Sequence, residues 1–498
     1  MEIYNTDSLP AHIIAGIEIP PEKGVTVTSI NPYTGQELWS SKDASISLIE
    51  QAIASSRQSF EEWSNFLLEE RIEIIKNFTT IVEKNRGYLS TLVAQEAGKP
   101  LWESNIEVNS LITKLTASVD AYKIRNAESS REVKGLLSKT RFKPHGVVSV
   151  LGPYNFPLSM ANGHIMPSLI AGNTVIFKPS ELTPLAGIVV AKMWQEAGLP
   201  KGVLNCITGG KNVGKALVEH NGIDGVFFVG SHAAGISILK SVADAPNKIT
   251  AVEMGGNSPL VIEDYDPKQV NEVISIIIHS SFITSGQRCS AARRLLINEK
   301  NTPLISQLIE VIETLKFGNY TDIPEPFSGS MIRPEAAELV KTKVGNLCKG
   351  GATQLTKGVI TGPNKTIFTP CLLDVNNCKN DTDEEIFGPV LKLIRYRDLK
   401  TAIQISNETK FGLSAGIVTQ HLETYNEFYR KIKAGIINWN QQLTGATTFA
   451  PFGGVKQSGN YRPAGYLSAD YCSFSLASFE VEAQSMKLPD TPGITFNR

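Results

Sequence analysis

Apolar residues recur at helical spacing along residues 45–121: Ile49, Ala52, Ile53 and Phe60 share a face that Trp63 and residues 71–82 continue, predicting an all-helical lead-in. The pattern changes at 141–150 (RFKPHGVVSV), where β-branched residues predict a strand. Gly152-Pro153-Tyr154-Asn155-Phe156-Pro157 then breaks the chain ahead of an apolar helical segment. The same unit recurs as strand 174–178, loop 179–184 and helix 185–197, then strand 203–207, Gly209-Gly210 and helix 213–219. Strand 225–229, a turn, a helix to 242 and strand 250–254 follow. Strands alternating with helices at this spacing predict a parallel sheet covered on both faces. In such a Rossmann-like architecture ligands sit at the carboxyl ends of the strands.

After Gly255 a second series runs from a long helix over 267–283 through a strand at 294–297 to about Gly459, and predicts a second α/β domain. Residues 126–143 and 471–482 are polar or alternating, fit neither sheet, and predict a β-arm. A chain of 498 residues is too long for one hydrophobic core, which agrees with several units.

Charge narrows the function. Lys+Arg number 48 against 49 Asp+Glu, a formal net charge of -1, so no positive field draws in nucleic acid or an anionic membrane surface. The opening residues MEIYNTDSLPAHIIAG have no basic segment followed by an apolar one, and no apolar run approaches the roughly 18 residues of a spanning helix. The expectation is a cytoplasmic protein. Six cysteines without a CxxC or a framework-like spacing predict reduced thiols.

Cys289 stands apart from the other five. It follows Phe282-Ile283-Thr284-Ser285-Gly286-Gln287-Arg288, where an apolar helix gives way to a glycine turn that can expose a sulfur. Arg288 either favours the thiolate or points away, and a lone cysteine is more often an inert buried residue. Glu253 ends a strand just before Gly255-Gly256; a carboxylate there is either a general base for water or a structural partner of a helix end or a lysine. Asn155, held between prolines, offers an amide to a developing oxyanion or simply makes the turn. Gly230-Ser231-His232-Ala233-Ala234-Gly235 follows a strand and opens a helix, supplying free N–H groups for a pyrophosphate, although it is not GxGxxG. Lys178, Ser180 and Glu181 lie at a strand end, where a carboxylate can accept from a ribose diol and would repel a 2′-phosphate. That favours NAD over NADP.

Together these pieces resemble the aldehyde dehydrogenase superfamily. The resemblance is carried, in the family's order, by Pro153-Tyr154-Asn155-Phe156-Pro157, the Lys178 loop, Phe228-Val229-Gly230-Ser231, Glu253 to Asn257, and Gly286-Gln287-Arg288-Cys289. Glu384-Glu385-Ile386-Phe387-Gly388-Pro389 and PFGGVKQSG at 451–459 complete it, so it spans nearly the whole chain. It implies two Rossmann-like parallel-sheet domains and a small β oligomerisation arm. The NAD-binding domain would be 1–125 and 144–253, the catalytic domain 254–465, and the arm 126–143 and 471–490.

The resemblance also implies roles. The Cys289 thiolate adds to an aldehyde while the Asn155 amide and the Cys289 backbone N–H hold the oxyanion. Glu253 activates water, and Glu385 and Phe387 position the nicotinamide end of NAD. A small-molecule aldehyde, no metal, and a homodimer or homotetramer are expected; the seven histidines form no HExxH set. The interval from Glu253 to Cys289 is slightly longer than usual, which an insertion near Asp264 to Lys268 would absorb. A non-catalytic member of the fold would lack the nucleophile or the base, and both are present. Retention of Glu253 also favours water over a thiol as the acyl acceptor.

A narrower likeness within the family lies in Asn162-Gly163-His164-Ile165-Met166-Pro167, in residues 286–294, and in the C-terminal blocks around Asn438, Leu443, Gly459 and Ala469. It implies a semialdehyde with two carboxylates remote from the aldehyde. Arg462 is the candidate anchor for one of them, against the alternatives of pairing with Asp470 or facing solvent. Departures from that likeness fall at Ser159-Met160-Ala161 and Gln441-Gln442, both candidates for the aldehyde tunnel.

Overall fold

The structure is a computed structural model describing residues 8–22, 24, 26–133, 136–379, 381–486 and 491–495. Two seven-stranded sheets organise it. The first has the order Ile249–Met254, Gly225–Gly230, Val147–Leu151, Thr174–Lys178, Leu204–Ile207, His12–Ile14, Ile17–Ile19. Its first five strands run parallel, and the N-terminal hairpin joins the edge antiparallel. The central strands are apolar throughout because helices cover both faces, so Val147, Val148, Val150, Val175, Ile176 and Phe177 are all buried. The second sheet has the order Thr353–Gln354, Cys371–Asp374, Val390–Tyr396, Ala292–Asn298, Ser258–Ile262, Ser414–Val418, Ile436–Trp439, parallel apart from its first short strand. The expected α/β architecture with two parallel sheets and a separate β-arm is the observed one.

The helical lead-in resolves into Ile46–Ser64, Leu68–Lys84, Arg86–Ala97 and Leu101–Arg125. Ser45 caps the first, accepting from Leu48 N at 3.2 Å. Phe78 of the second stacks on Trp194 at 3.8 Å between centroids, which ties the lead-in to the first sheet's helices.

Two predicted elements differ. The single strand expected at 141–150 is two, Leu136–Pro144 and Val147–Leu151, separated at Gly146. Gly146 has φ +133, and a Cβ there would lie 2.0 Å from the Asp224 carboxylate that accepts from Val147 N at 2.7 Å. The helix expected over 267–283 is a 3₁₀ turn Pro267–Gln269, a helix Val270–Ser281 and a second 3₁₀ turn Ile283–Gly286. Asp266 opens this run by accepting from Lys268 N at 2.9 Å, which caps the helix entrance.

The arm is a three-stranded antiparallel sheet in the order Ser473–Glu480, Leu136–Pro144, Ser129–Val133. Lys139 and Arg141 pair with Glu480 across it, the former at 2.9 Å. Residues 134–135 and 487–490 of the expected arm lie outside the described residues.

Candidate active site

Glu253 is carried to the carboxyl end of the first sheet by the Ile249–Met254 strand, as a parallel sheet requires of a ligand site. Cys289 arrives from the second domain through a turn with an unusual backbone. Thr284, Ser285 and Gly286 have φ of 56, 50 and 67, three left-handed residues in a row. Only the glycine adopts this without cost; each of the others loses about 1 to 2 kcal/mol. Gly286 is also needed for space, since a Cβ would lie 2.2 Å from the Gly388 carbonyl oxygen.

Buried polar groups hold the two strained residues. Glu103, on the Leu101–Arg125 helix, accepts from Thr284 N at 3.1 Å and from its hydroxyl. Ser285 N donates to Ser328 Oγ at 2.7 Å and its hydroxyl to Gly329 O at 2.6 Å. Arg288 belongs to this clamp: its guanidinium donates to Glu103 at 2.7 Å, to Thr284 Oγ1 at 2.8 Å and to Thr444 O at 3.1 Å. Of the two readings of Arg288, the structure takes the one in which it points away from the sulfur.

Cys289 and Glu253 meet across the domain boundary, the thiol donating to Glu253 Oε1 at 3.6 Å. Burial pushes the Glu253 carboxyl up to about 8, against the opposing effects of the Cys289 hydrogen bond and the Lys114 ammonium. Its second oxygen is buried without a partner among the described residues. The Cys289 thiol is held well above its ordinary value by burial and then by the Glu253 and Glu385 carboxylates. Thiol and carboxyl are in hydrogen-bond contact, and Arg293, rather than Arg288, is the guanidinium that feels the Cys289 charge. Asn155 is buried beside them and donates one amide N–H to Gln287 O at 2.8 Å. The side chain has a second N–H, which remains for an oxyanion.

The residues expected to hold a dinucleotide fall on two sides of this centre. Lys178 is buried and donates to Pro179 O at 2.9 Å and Gly209 O at 2.6 Å, with Glu181 Oε2 3.5 Å away. Ser180 Oγ accepts from Leu182 N at 3.3 Å, while Glu181 is half-exposed. Ser231 caps the His232–Ser241 helix by accepting from Ala234 N at 3.3 Å, leaving the first-turn N–H groups of His232 and Ala233 at the helix end. Gly235 serves packing instead: a Cβ there would lie 2.4 Å from Met254 Sδ.

At the catalytic end Glu385 is 3.5 Å from Arg293 Nη2, and Phe387 lies between the Tyr154 ring at 6.2 Å and the Arg293 guanidinium at 5.4 Å. Gly255 must be a glycine for this, since a Cβ would lie 1.8 Å from Glu385 Oε2. These residues fit a nicotinamide dinucleotide on a specific sign as well as on placement. His232 Nε2 is buried at the helix entrance with no partner among the described residues, a site for a polar ligand atom.

Arg462 is not brought to this centre. Asn460 hydrogen-bonds along the Ile249–Met254 strand, accepting from Val252 N at 3.1 Å and donating to Thr250 O at 2.8 Å, so the chain from Gly459 travels towards the strand's beginning. Arg462 is exposed and acts electrostatically on His145, ahead of Val147–Leu151. Four residues of strand, about 13 Å, separate that end from Glu253. Asp470, the alternative partner, pairs with Arg125 at 2.7 Å. The anchor role read from the sequence therefore lacks the required position. Conversely, the sequence reading passed over Glu103, Lys114 and Arg293. Glu103 and Lys114 carry no local signal, because charged residues within a helix ordinarily read as its solvated face.

A nucleophilic thiol and a carboxylate at the seam of two parallel-sheet domains, beside a helix end suited to a dinucleotide, define a nicotinamide-dependent oxidoreductase of aldehydes. Residues 19–474 match the aldehyde dehydrogenase family, and the chain belongs to it. Among curated relatives, the N-succinylglutamate 5-semialdehyde dehydrogenase of Pseudomonas fluorescens is 42% identical over 474 residues, covering 95% of this chain and 97% of that protein. The protein of that name from Ectopseudomonas mendocina is 41% identical over 489 residues, covering 98% and 100%. Among solved structures, an indole-3-acetaldehyde dehydrogenase complexed with NAD+ superposes with a TM-score of 0.90 at 29% identity, covering 95% and 98%. An aldehyde dehydrogenase of Pseudomonas aeruginosa gives 0.90 at 29%, covering 96% and 98%.

Proposed function

We propose that the chain oxidises N-succinylglutamate 5-semialdehyde to N-succinylglutamate with NAD, in arginine breakdown by the succinyltransferase route. The contact that carries the chemistry is Cys289 Sγ to Glu253 Oε1 at 3.6 Å; the substrate rests on the relatives at about 40% identity over nearly the full length. Glu253 relieves Cys289 of its proton, and the sulfur adds to the aldehyde carbon to form a thiohemiacetal. The free Asn155 N–H and the Cys289 backbone N–H stabilise the oxyanion. The dinucleotide supplies the hydride acceptor. Glu385 and Phe387 orient its nicotinamide end, and Lys178, Ser180, Glu181 and the Gly230 to Gly235 turn hold its adenosine and pyrophosphate. Glu253 passes that first proton to solvent and then takes one from water, which attacks the thioester; the departing sulfur recovers this proton as the acid is released.

The same reading assigns residues 1–125 and 144–253 to NAD binding, 254–465 to catalysis, and 126–143 with 471–490 to assembly as a homodimer or homotetramer. Exposed Leu136, Leu137, Phe474 and Phe479 on the arm support the last assignment. No helix among the described residues is long and apolar enough to cross a membrane; we place the reaction in the cytoplasm.

The test is kcat/KM of the unmodified enzyme on the succinylated semialdehyde and on glutamate semialdehyde, each with NAD and NADP. A preference of at least about tenfold, or ~1.4 kcal/mol in the transition state, is expected for the succinylated compound and for NAD. Indifference to the succinyl group would remove the substrate. Glu181→Ser is expected to relax the cofactor preference by about tenfold, since a ribose phosphate would no longer meet a carboxylate. Equal use of NADP by the unmodified enzyme would show that Glu181 does not face the ribose.

A further inference from the structure

The helix Leu101–Arg125 carries two buried carboxylates one turn apart on one face, Glu103 and Glu107. Glu103 reaches across the domain seam to the turn that ends in Cys289, where it accepts from Thr284 N at 3.1 Å, from the Thr284 hydroxyl and from the Arg288 guanidinium at 2.7 Å. Glu107 meets the turn that carries Asn155, its Oε1 accepting from Leu158 N at 2.8 Å and Ser159 N at 3.2 Å. One rigid element therefore holds the segment of the nucleophile and the segment of the oxyanion amide, although the two come from different domains.

The contacts close into a circuit. Asn155 donates to Gln287 O at 2.8 Å, the carbonyl just ahead of Arg288. Phe156, next to Asn155, faces both cations of the circuit: Lys99 Nζ is 3.9 Å and the Arg288 guanidinium 4.9 Å from its ring centre. Lys99 pairs with Glu107 at 2.7 Å as Arg288 pairs with Glu103, so two buried anions meet two buried cations. Buried ion pairs are a poor source of net stability, since desolvation offsets their attraction. What this set supplies is a fixed geometry, and the Cys289 turn needs one: Thr284 and Ser285 are held at positive φ, which neither residue prefers.

We propose that Glu103 and Glu107 are positioning residues that set the Cys289 sulfur and the Asn155 amide in register, so that the oxygen of the adding aldehyde develops its charge where the amide N–H already points. The assignment rests on the reading of Cys289 as nucleophile and Asn155 as oxyanion donor. The two carboxylates act through Thr284, Arg288, Leu158 and Ser159 rather than on the substrate. A shift of about 1 Å between sulfur and amide is enough to slow thiohemiacetal formation about a hundredfold.

The test compares two rates in each variant: the first turnover of NADH formation, by stopped flow at saturating semialdehyde and NAD, and the alkylation of Cys289 by iodoacetamide, followed on its peptide by mass spectrometry. Alkylation uses the same sulfur but develops no oxyanion, so changes in thiol acidity or access enter both rates and cancel in their ratio. Glu103→Gln puts a donor where the carboxylate has its second acceptor, and the ratio of turnover to alkylation is expected to fall about a hundredfold. Lys99→Met/Glu107→Met removes the other pair without stranding a charge and releases Leu158 and Ser159; the same fall is expected from the oxyanion side. Glu103→Gln/Thr284→Asn should recover most of the ratio, because asparagine takes the left-handed conformation readily and still offers Arg288 an oxygen. Thr284→Val, a change of similar size that deletes only the hydroxyl, should lower the ratio about tenfold and carries the test if a thermal melt shows that Glu103→Gln does not fold. A ratio unchanged in the folded variants, whether both rates stay or both fall together, would overturn the proposal while leaving the covalent route intact. If the unmodified enzyme is alkylated at Cys289 yet forms no NADH from the semialdehyde or from a simple aldehyde, the reading of the site fails, and the proposal with it.

Discussion

Replacing Cys289 with alanine is expected to lower NADH formation by at least about a thousandfold while leaving dinucleotide binding near normal. The mechanism has one nucleophile, and no other cysteine can substitute for it. Cys206 and Cys472 are completely buried, and burial pushes both thiols up to about 12. Cys371 reaches the same value in the second sheet, among the apolar residues packed under the helix Pro334–Lys349. Cys348 and Cys378 sit at the far end of that helix, where Cys378 bonds Leu347 O at 3.4 Å. The alanine leaves Glu385, Phe387 and the His232 helix end untouched, so a fluorescence titration with NADH should give a dissociation constant within a few-fold of the unmodified enzyme. Turnover within about tenfold of normal would rule out the covalent route.

Much of this fold is legible in the chain because buried parallel strands are apolar on both faces and end in tight polar turns. The strand predicted at 174–178 is the observed Thr174–Lys178, and the neighbouring strands deviate only at their ends. The reading fails where a single residue turns the backbone: Gly146 splits a β-branched run into an arm strand and a sheet strand, and hydrophobic periodicity carries no trace of its positive φ. It fails again at 283–286, where Ile283 continues the apolar spacing of Val270–Ser281 but Thr284 and Ser285 have left the helix. Those conformations are imposed by Glu103 and Ser328, groups distant in sequence that no local pattern reveals.

The centre itself divides in the same way. Cys289, Glu253 and Asn155 are legible because each ends an element or sits in a rigid turn beside glycine or proline, and the structure brings them together. The charged residues supporting them are not. Glu103, Glu107 and Lys114 lie on a helix whose polar positions look solvated, yet the Ser159–Ala171 helix and the Cys289 turn cover that face. Arg462 is the converse case, a cation in a motif-rich loop whose register along Ile249–Met254 carries it away from the sulfur. Charge on its own does not say which way a helix or loop will face. Packing decides that.

Glu253→Gln is expected to form NADH in one rapid burst approaching one equivalent per active site and then to turn over about a hundredfold to ten-thousandfold more slowly than normal. The sign for the first step follows from the charges around the sulfur. The Glu253 carboxylate is one of the groups that hold the Cys289 thiol protonated, so a neutral amide removes an obstacle to thiolate formation even as it removes a proton acceptor. Thioester hydrolysis has no such compensation, because the attacking water loses the carboxylate that, among the described residues, is bonded to the nucleophilic sulfur. The pH dependence separates the two roles. With its carboxyl pushed up to about 8, Glu253 is protonated and idle as a base below that pH. Deacylation in the unmodified enzyme should therefore rise about tenfold per pH unit on the acid side and level off above about 8, whereas in Glu253→Gln this limb should disappear. Rapid-quench assays from pH 6 to 9, with mass spectrometry of the Cys289 peptide, measure the burst, the slow phase and the trapped acyl group together. A mutant with no burst and no acylated peptide would show that Glu253 is needed to make the thioester as well as to break it. A full burst with an unchanged pH profile in the slow phase would show that another group activates the water.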